Sequence, residues 1–186
     1  MESLIKTILG GNTDGFRKII QKYEKQLLGT VYHFTHDWDQ AKDITQNTFI
    51  TIYKNLSKFD STKRFEPWLY KIHLNQCRSE YRKNKIRNQF MKMLTLDSQN
   101  SIDHYEVNLD VVRLCIDRLS WKQKTAFILM NIEGYSSKEA AERMDCSDAT
   151  VRVHLNRAKI NIQNNPVNWN QNQNIKTEDN RFFNSL

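Results

Sequence analysis

Nine basic side chains stand between residues 63 and 92 (Lys63, Arg64, Lys71, Arg78, Arg82, Lys83, Lys85, Arg87 and Lys92), against two acidic ones, Glu66 and Glu80. A second, smaller basic element lies between residues 148 and 162, where Arg152, Arg157 and Lys159 meet one acidic residue, Asp148. Between these elements, residues 93–147 carry six basic and nine acidic groups. Lys and Arg at this density neutralise phosphates, so two basic elements parted by an acidic one form an electrostatic footprint for a polyanion, most simply nucleic acid. A solvated lysine-rich helix face is the plain alternative on charge alone. Catalytic chemistry has little support: the chain has no GxxxxGK(S/T) phosphate loop, no HExxH, no nucleophile elbow and no His/Cys/Asp cluster with metal-ligand spacing. No enzyme activity, metal or cofactor is therefore expected. Cys77, Cys115 and Cys146 are odd in number and far apart, which gives neither a disulfide framework nor a zinc site. His154 stands alone among apolar neighbours and reads as a packing or phosphate-side residue.

The second basic element sits in SSKEAAERMDCSDATVRVHLNRAK (136–159), which has the pattern of a helix-turn-helix. Ala141 is small enough to let a second helix approach, a turn follows at Asp145-Cys146-Ser147, and Val151 and Leu155 would lock that helix against Ala141 and Met144. Asp148, Ala149, Thr150, Arg152, Val153, Asn156, Arg157 and Lys159 are then left facing outward. Arg and Asn can pair with guanine and adenine edges and Lys can hold phosphates, so the spacing and charge together favour DNA binding over a plain helical hairpin.

These groups must be carried by helices. Asn12 to Asp14 offers a cap for a helix to about Thr35 with Phe16, Ile19, Ile20, Tyr23, Leu27 and Leu28 on one face. Asp37 to Asp39 caps a second, ending near Lys58, whose stripe is Ala41, Ile44, Thr48, Phe49, Ile52, Tyr53 and Leu56 while Asp43, Gln46, Asn47 and Lys54 face elsewhere. A polar loop, 59–65, precedes a third helix with Pro67 in its first turn and the basic block along its length. The composition then turns to Gln, Asn, Ser and Asp, which reads as a linker. Further helical patterns cover 111–132, a short helix to Met144 and a last one from Asp148 to Ile162. The final 24 residues hold eight Asn and three Gln with no apolar repeat and read as disordered. At 186 residues, 39% hydrophobic and net charge +7, the chain suits one domain or two small ones. No apolar run approaches the ~18 residues of a membrane span and the start lacks a signal layout, so a cytoplasmic protein without membrane insertion is expected.

Three segments resemble the extracytoplasmic-function (group IV) sigma factors of bacterial RNA polymerase: AKDITQNTFITIYKNLSKF (41–59), FEPWLYKIHLNQCRSEYRKNK (65–85) and IDRLSWKQKTAFILMNIEGYSSKEAAERMDCSDATVRVHLNRAK (116–159). The resemblance implies an all-α chain of two small helical domains: region 2 over 1–90, a flexible linker over 91–108, region 4 over 109–163, and a tail over 164–186. It implies that Asp43, Gln46 and Asn47 dock on the β′ clamp coiled coil, with the β flap a further polymerase contact. It assigns Phe59, Lys63, Arg64, Trp68, Lys71, Asn75, Arg78, Ser79 and Arg82 to the promoter −10 element, with the loop 55–64 capturing a base. Phe65 joins the pocket rim, and Trp68 has the look of a melting wedge, although its helical spacing with Leu69 favours a core position. Ser147, Asp148, Thr150, Arg152, Val153, Asn156, Arg157 and Lys159 would read the −35 element. The expected partners are core polymerase, promoter DNA and an anti-sigma factor. The expected function is that of an alternative sigma factor; the alternative is a helix-turn-helix regulator that never joins the polymerase. One departure from the family pattern falls at Leu119-Ser120-Trp121, where Leu-Pro is usual.

Overall fold

The computed structural model describes residues 2–94 and 114–164. All the elements described are helical: α1 (Glu2–Leu9), α2 (Thr13–Thr35), α3 (Trp38–Asn55), a 3-10 turn (Leu56–Lys58), α4 (Phe65–Leu94), α5 (Trp121–Phe127) running into a π turn (Ile128–Ile132), α6 (Ser137–Met144) and α7 (Asp148–Gln163). A further helical turn spans 114–117. α4 continues through residues 91–94, which composition assigns to the linker; the rest of the linker and the Asn/Gln-rich tail beyond residue 164 lie outside the described residues.

Local chemistry sets the boundaries. Asn12 Oδ1 accepts the Asp14 amide at 3.0 Å, and Asp37 Oδ1 accepts those of Asp39 and Gln40 at 2.9 and 3.0 Å. Each cap satisfies amides that the first helical turn leaves without partners and is worth about 1 kcal/mol. α2 and α6 end on His36 and Asp145, both left-handed (φ 54° and 53°). At the start of α5, where the family pattern has Pro, Ser120 donates its amide to Gln123 Oε1 at 3.0 Å, so a side chain fixes that helix start.

α2, α3 and α4 pack around Leu27, Val31, Ile52 and Leu69, all with no exposure. Thr48 and His73 form a polar contact inside this core, Oγ1 to Nδ1 3.2 Å, and burial pushes the His73 pKa down to about 3, which keeps the imidazole neutral. α1, which the sequence pattern does not reveal, lies on α2 through buried Ile5 and Ile8. Gly15 permits this approach, since a Cβ there would stand 2.7 Å from Ile8 Cγ1. Tyr53, expected in the apolar stripe of α3, is instead half exposed and packs edge-on against Phe16 at 5.0 Å.

The C-terminal helices do not stand apart. Leu119, Phe127, Ala158 and Ile162 make a small core of their own. Ile128, Leu129, Ala140, Ala141 and Val151 belong instead to the same apolar cluster as the N-terminal bundle. The two helical halves are therefore closed on each other along a seam between α2/α4 and α5–α6.

Candidate nucleic-acid interface

The helix-turn-helix is built as its sequence requires. Ser136 and Glu139 cap α6 reciprocally, the Ser136 amide donating to Glu139 Oε2 at 2.9 Å and the Glu139 amide to Ser136 Oγ at 3.3 Å. Left-handed Asp145 turns the chain, and Ser147 Oγ accepts the Thr150 amide at 3.2 Å to start α7. Ala141 and Val151 are buried, with Met144 and Leu155 half-buried against the core. This leaves Arg152, Val153, Asn156 and Arg157 exposed on one face, with Ser147 at its N-terminal edge and Thr150, Asp148 and Lys159 partly exposed. Arg152 is held by Asp148 at 2.7 Å, one helical turn earlier.

The first, larger basic element occupies α4 and the loop before it. Lys71, Asn75, Arg78, Ser79 and Arg82 are all exposed along the helix, and Lys63 and Arg64 are exposed in the loop. Asp60 shapes that loop, accepting from the Thr62 amide and hydroxyl at 3.1 and 2.7 Å and lying 3.7 Å from Lys63. Those two hydrogen bonds, before the Lys63 charge, hold the Asp60 carboxyl below its ordinary value. Phe59, Phe65 and Trp68 pack together with ring centroids 5.1 to 5.6 Å apart. Phe65 and Leu69 are core, whereas Phe59 and Trp68 are half-buried at its rim. Asp43, Gln46 and Asn47 share an exposed face of α3 beside Ile50 and Tyr53, which are 43% and 49% exposed. These two side chains border a groove of about 530 Å³ between α2 and α3, floored by Phe16, Ile20 and Phe49.

The seam brings the two basic elements under acidic control. Arg64 pairs with Glu142 at 2.6 Å and Lys71 with Asp145 at 2.7 Å, so two cations of the first half are held by the first helix of the helix-turn-helix and its turn. Buried Arg143 pairs with Glu66 and lies 3.7 Å from the Tyr135 ring centroid and 4.8 Å from that of Tyr70. The Tyr70 and Tyr135 hydroxyls meet at 2.9 Å, and Gln26 donates to Tyr135. Lys124 is buried, donating to the Phe34 carbonyl at 3.1 Å and to Asp117 at 2.6 Å. Burial lowers its pKa and Asp117 opposes the shift. Phe34 and Trp121 stack at 4.6 Å, and Tyr81 donates to the Leu119 carbonyl at 3.1 Å. Glu133, next to left-handed Gly134, has both carboxylate oxygens buried with no well-formed hydrogen bond among the described residues, and burial pushes its pKa up to about 7 against the pull of the neighbouring Thr30 hydroxyl and of Arg143. None of these seam partners follows from helical periodicity, since Glu142 and Asp145 read in sequence only as part of an acidic segment.

A helix-turn-helix behind a basic, aromatic-rimmed helical bundle defines a sigma-70-type transcription factor, and family models bear this out. Sigma-70 region 2 matches residues 19–87 and sigma-70 region 4 matches residues 109–162. Among similar proteins, the RNA polymerase sigma-H factor of Pseudomonas aeruginosa is 26% identical over 172 residues, 85% of this chain and 89% of the relative. SigW, an extracytoplasmic-function sigma factor of Bacillus subtilis, is 27% identical over 169 residues, 83% and 90% of the two chains. The fold is similar to that of CnrH in complex with the cytosolic domain of CnrY, with a TM-score of 0.63 and 22% identity over 86% of this chain and 92% of that one. It is also similar to RpoE from Bartonella quintana in complex with the anti-sigma factor NepR, with a TM-score of 0.59 and 22% identity over 81% and 95%. The chain belongs to the extracytoplasmic-function group of RNA polymerase sigma factors.

Proposed function

We propose that this protein is an alternative sigma factor that joins core RNA polymerase, recognises promoters through two separate contacts and opens the −10 element, without catalytic chemistry of its own. The observation that carries the reading is the separation of two cationic surfaces, on α4 and on α7, onto two helical units in the order of regions 2 and 4. Opening a promoter means holding a base out of the duplex while neighbouring phosphates are gripped. The loop 59–65 with half-buried Phe59 and Trp68 at its rim offers apolar surface for a base. Lys63, Arg64, Lys71, Arg78 and Arg82, with the side chains of Asn75 and Ser79, follow the strand. On α7, Arg152 and Asn156 are suited to base edges, while Arg157 and Lys159 suit phosphates. Asp43, Gln46 and Asn47 would dock the β′ clamp coiled coil, with the neighbouring groove receiving its apolar side chains. We assign region 2 to residues 1–90, region 4 to 109–163 and the protein to the cytoplasm; no helix among the described residues is long and apolar enough to cross a membrane. The solved relatives bound to anti-sigma partners support a partner of that kind here as well.

Run-off transcription with purified core polymerase tests the reading. Addition of this chain should yield transcripts with defined start sites. Duplex binding by the chain alone, with core polymerase left unprogrammed, would instead identify a helix-turn-helix regulator.

A further inference from the structure

A cavity of about 220 Å³ opens on the seam, and its lining comes from both halves. Lys71 and Arg78 of α4, Lys122 of α5 and Arg143 of α6 all border it, against a single carboxylate, Asp145. That carboxylate is taken by Lys71, and Arg143 is taken by Glu66. Arg78 and Lys122 form no ion pair with a described residue, and the Nε of buried Arg143 meets no acceptor among the described residues. These two unpaired cations, from opposite halves and both exposed, place positive charge on one cavity, a mild, solvent-screened opposition to the closure that the rest of the seam favours. An anion between them removes that opposition. Asn75 adds a neutral donor, and Leu74, Trp121 and Met144 supply an apolar wall against which a ring can lie.

We propose that this cavity binds a small phosphate-bearing molecule, up to the size of a nucleoside monophosphate, and that the closed seam is its binding-competent state. Arginine and lysine from several elements around one neutral amide suit the three charged oxygens of a phosphate. The volume is too small for a dinucleotide or a peptide, lying below the ~300–1,000 Å³ of drug-sized sites. Given the sigma-factor reading above, the ligand has a regulatory consequence. Lys71, Asn75 and Arg78 are promoter-strand candidates, so ligand and −10 strand compete for the same groups, and a ligand that prefers the closed form withholds the factor from promoters.

The test is calorimetric titration of the full chain with inorganic phosphate and with AMP, using sodium chloride of matched ionic strength as baseline. Saturable binding of one equivalent is expected, weakened at least about tenfold in K122E, which turns one attractive charge contact into a repulsive one, and retained in K122R. Lys122 is exposed, and circular dichroism will confirm that the variants stay folded. AMP binding tighter than phosphate would assign the apolar wall to a base, and equal affinity would confine recognition to the phosphate; both support the site. Binding absent up to about 10 mM, a range beyond millimolar affinity, or equally tight in K122E, would overturn it. In run-off assays, AMP should inhibit the parent and K122R but leave the transcription level of K122E unaltered. Binding without any transcription would leave the site standing and reject the sigma-factor reading.

Discussion

Arg152 sits at the exposed start of α7, tied to Asp148 at 2.7 Å, and both are candidates for the −35 contact. An exposed pair of this kind is worth little, about 0.2–1 kcal/mol, so a base edge can displace the carboxylate at small cost. Arg152→Ala is expected to weaken binding at the −35 element by ~1–3 kcal/mol and to relax preference at one base pair, measured by holoenzyme binding to a set of single-base promoter variants; equal loss on every sequence would assign the side chain to a phosphate. Glu133 is a different case, because its carboxyl is buried without a well-formed hydrogen bond and is raised to about 7 from an ordinary 4.5. A carboxyl raised on folding favours the closed protein while protonated, and that advantage is lost as pH climbs from the unfolded value through the folded one. Stability should therefore fall between pH 4.5 and 7 by up to about 3 kcal/mol. Thermal unfolding of Glu133→Gln should be flatter across this window and its Tm at pH 8 higher than the parent's; an unchanged pH profile would show that the carboxyl is already solvated.

At the scale of the element, α3 must be core on one face and contact surface on the other. Ala41, Ile44, Thr48, Phe49 and Ile52 are buried, while Asp43, Gln46 and Asn47 point out with no described partner to hold them in place. Replacing Asp43 and Gln46 together by Ala should leave the Tm within a few degrees of the parent, since surface substitutions rarely exceed about 0.5 kcal/mol. The same change should abolish co-purification with core polymerase; retained transcription would move the docking surface elsewhere. Leu69→Ala on α4 should do the opposite, costing ~2–5 kcal/mol in denaturant unfolding through the cavity it leaves. This division was legible in sequence because it is local. Asn12 and Asp37 announce their helices by short-range hydrogen bonds, and the 3-4-7 spacing of α2 and α3 reports burial directly. Tyr53 shares the spacing of the α3 stripe yet lies outside the core because the stripe is wider than the surface α2 covers, and its ring meets Phe16 at the border. α1 is eight residues long and holds through Gly15 and tertiary contact, which no periodicity in so short a segment reveals.

At the scale of the whole molecule, the two halves share one apolar cluster, and Arg64 and Lys71 are neutralised by Glu142 and Asp145. The charges are legible in sequence but their pairing is not, because a contact across 74 or 78 residues is set by how the halves dock rather than by spacing along a helix. In the closed form two promoter-strand candidates are occupied by internal carboxylates, while Phe34, Trp121 and buried Lys124 fasten the other end of the seam. Both ion pairs are largely exposed, so each contributes only about 0.2–1 kcal/mol. The pairs therefore bias the closed state without locking it, and the apolar contact supplies most of its stability. Glu142→Gln with Asp145→Asn removes both pairs without adding positive charge that would itself attract DNA. The double variant should bind a single-stranded −10 oligonucleotide about 2- to 30-fold more tightly than the parent, the range that 0.4–2 kcal/mol provides. Its radius of gyration by small-angle scattering should rise, because the open population grows as the seam weakens. Tighter binding with unchanged scattering would trace the effect to the unmasked cations alone; no change in either would mean that the carboxylates neither mask the strand-binding face nor hold the halves together.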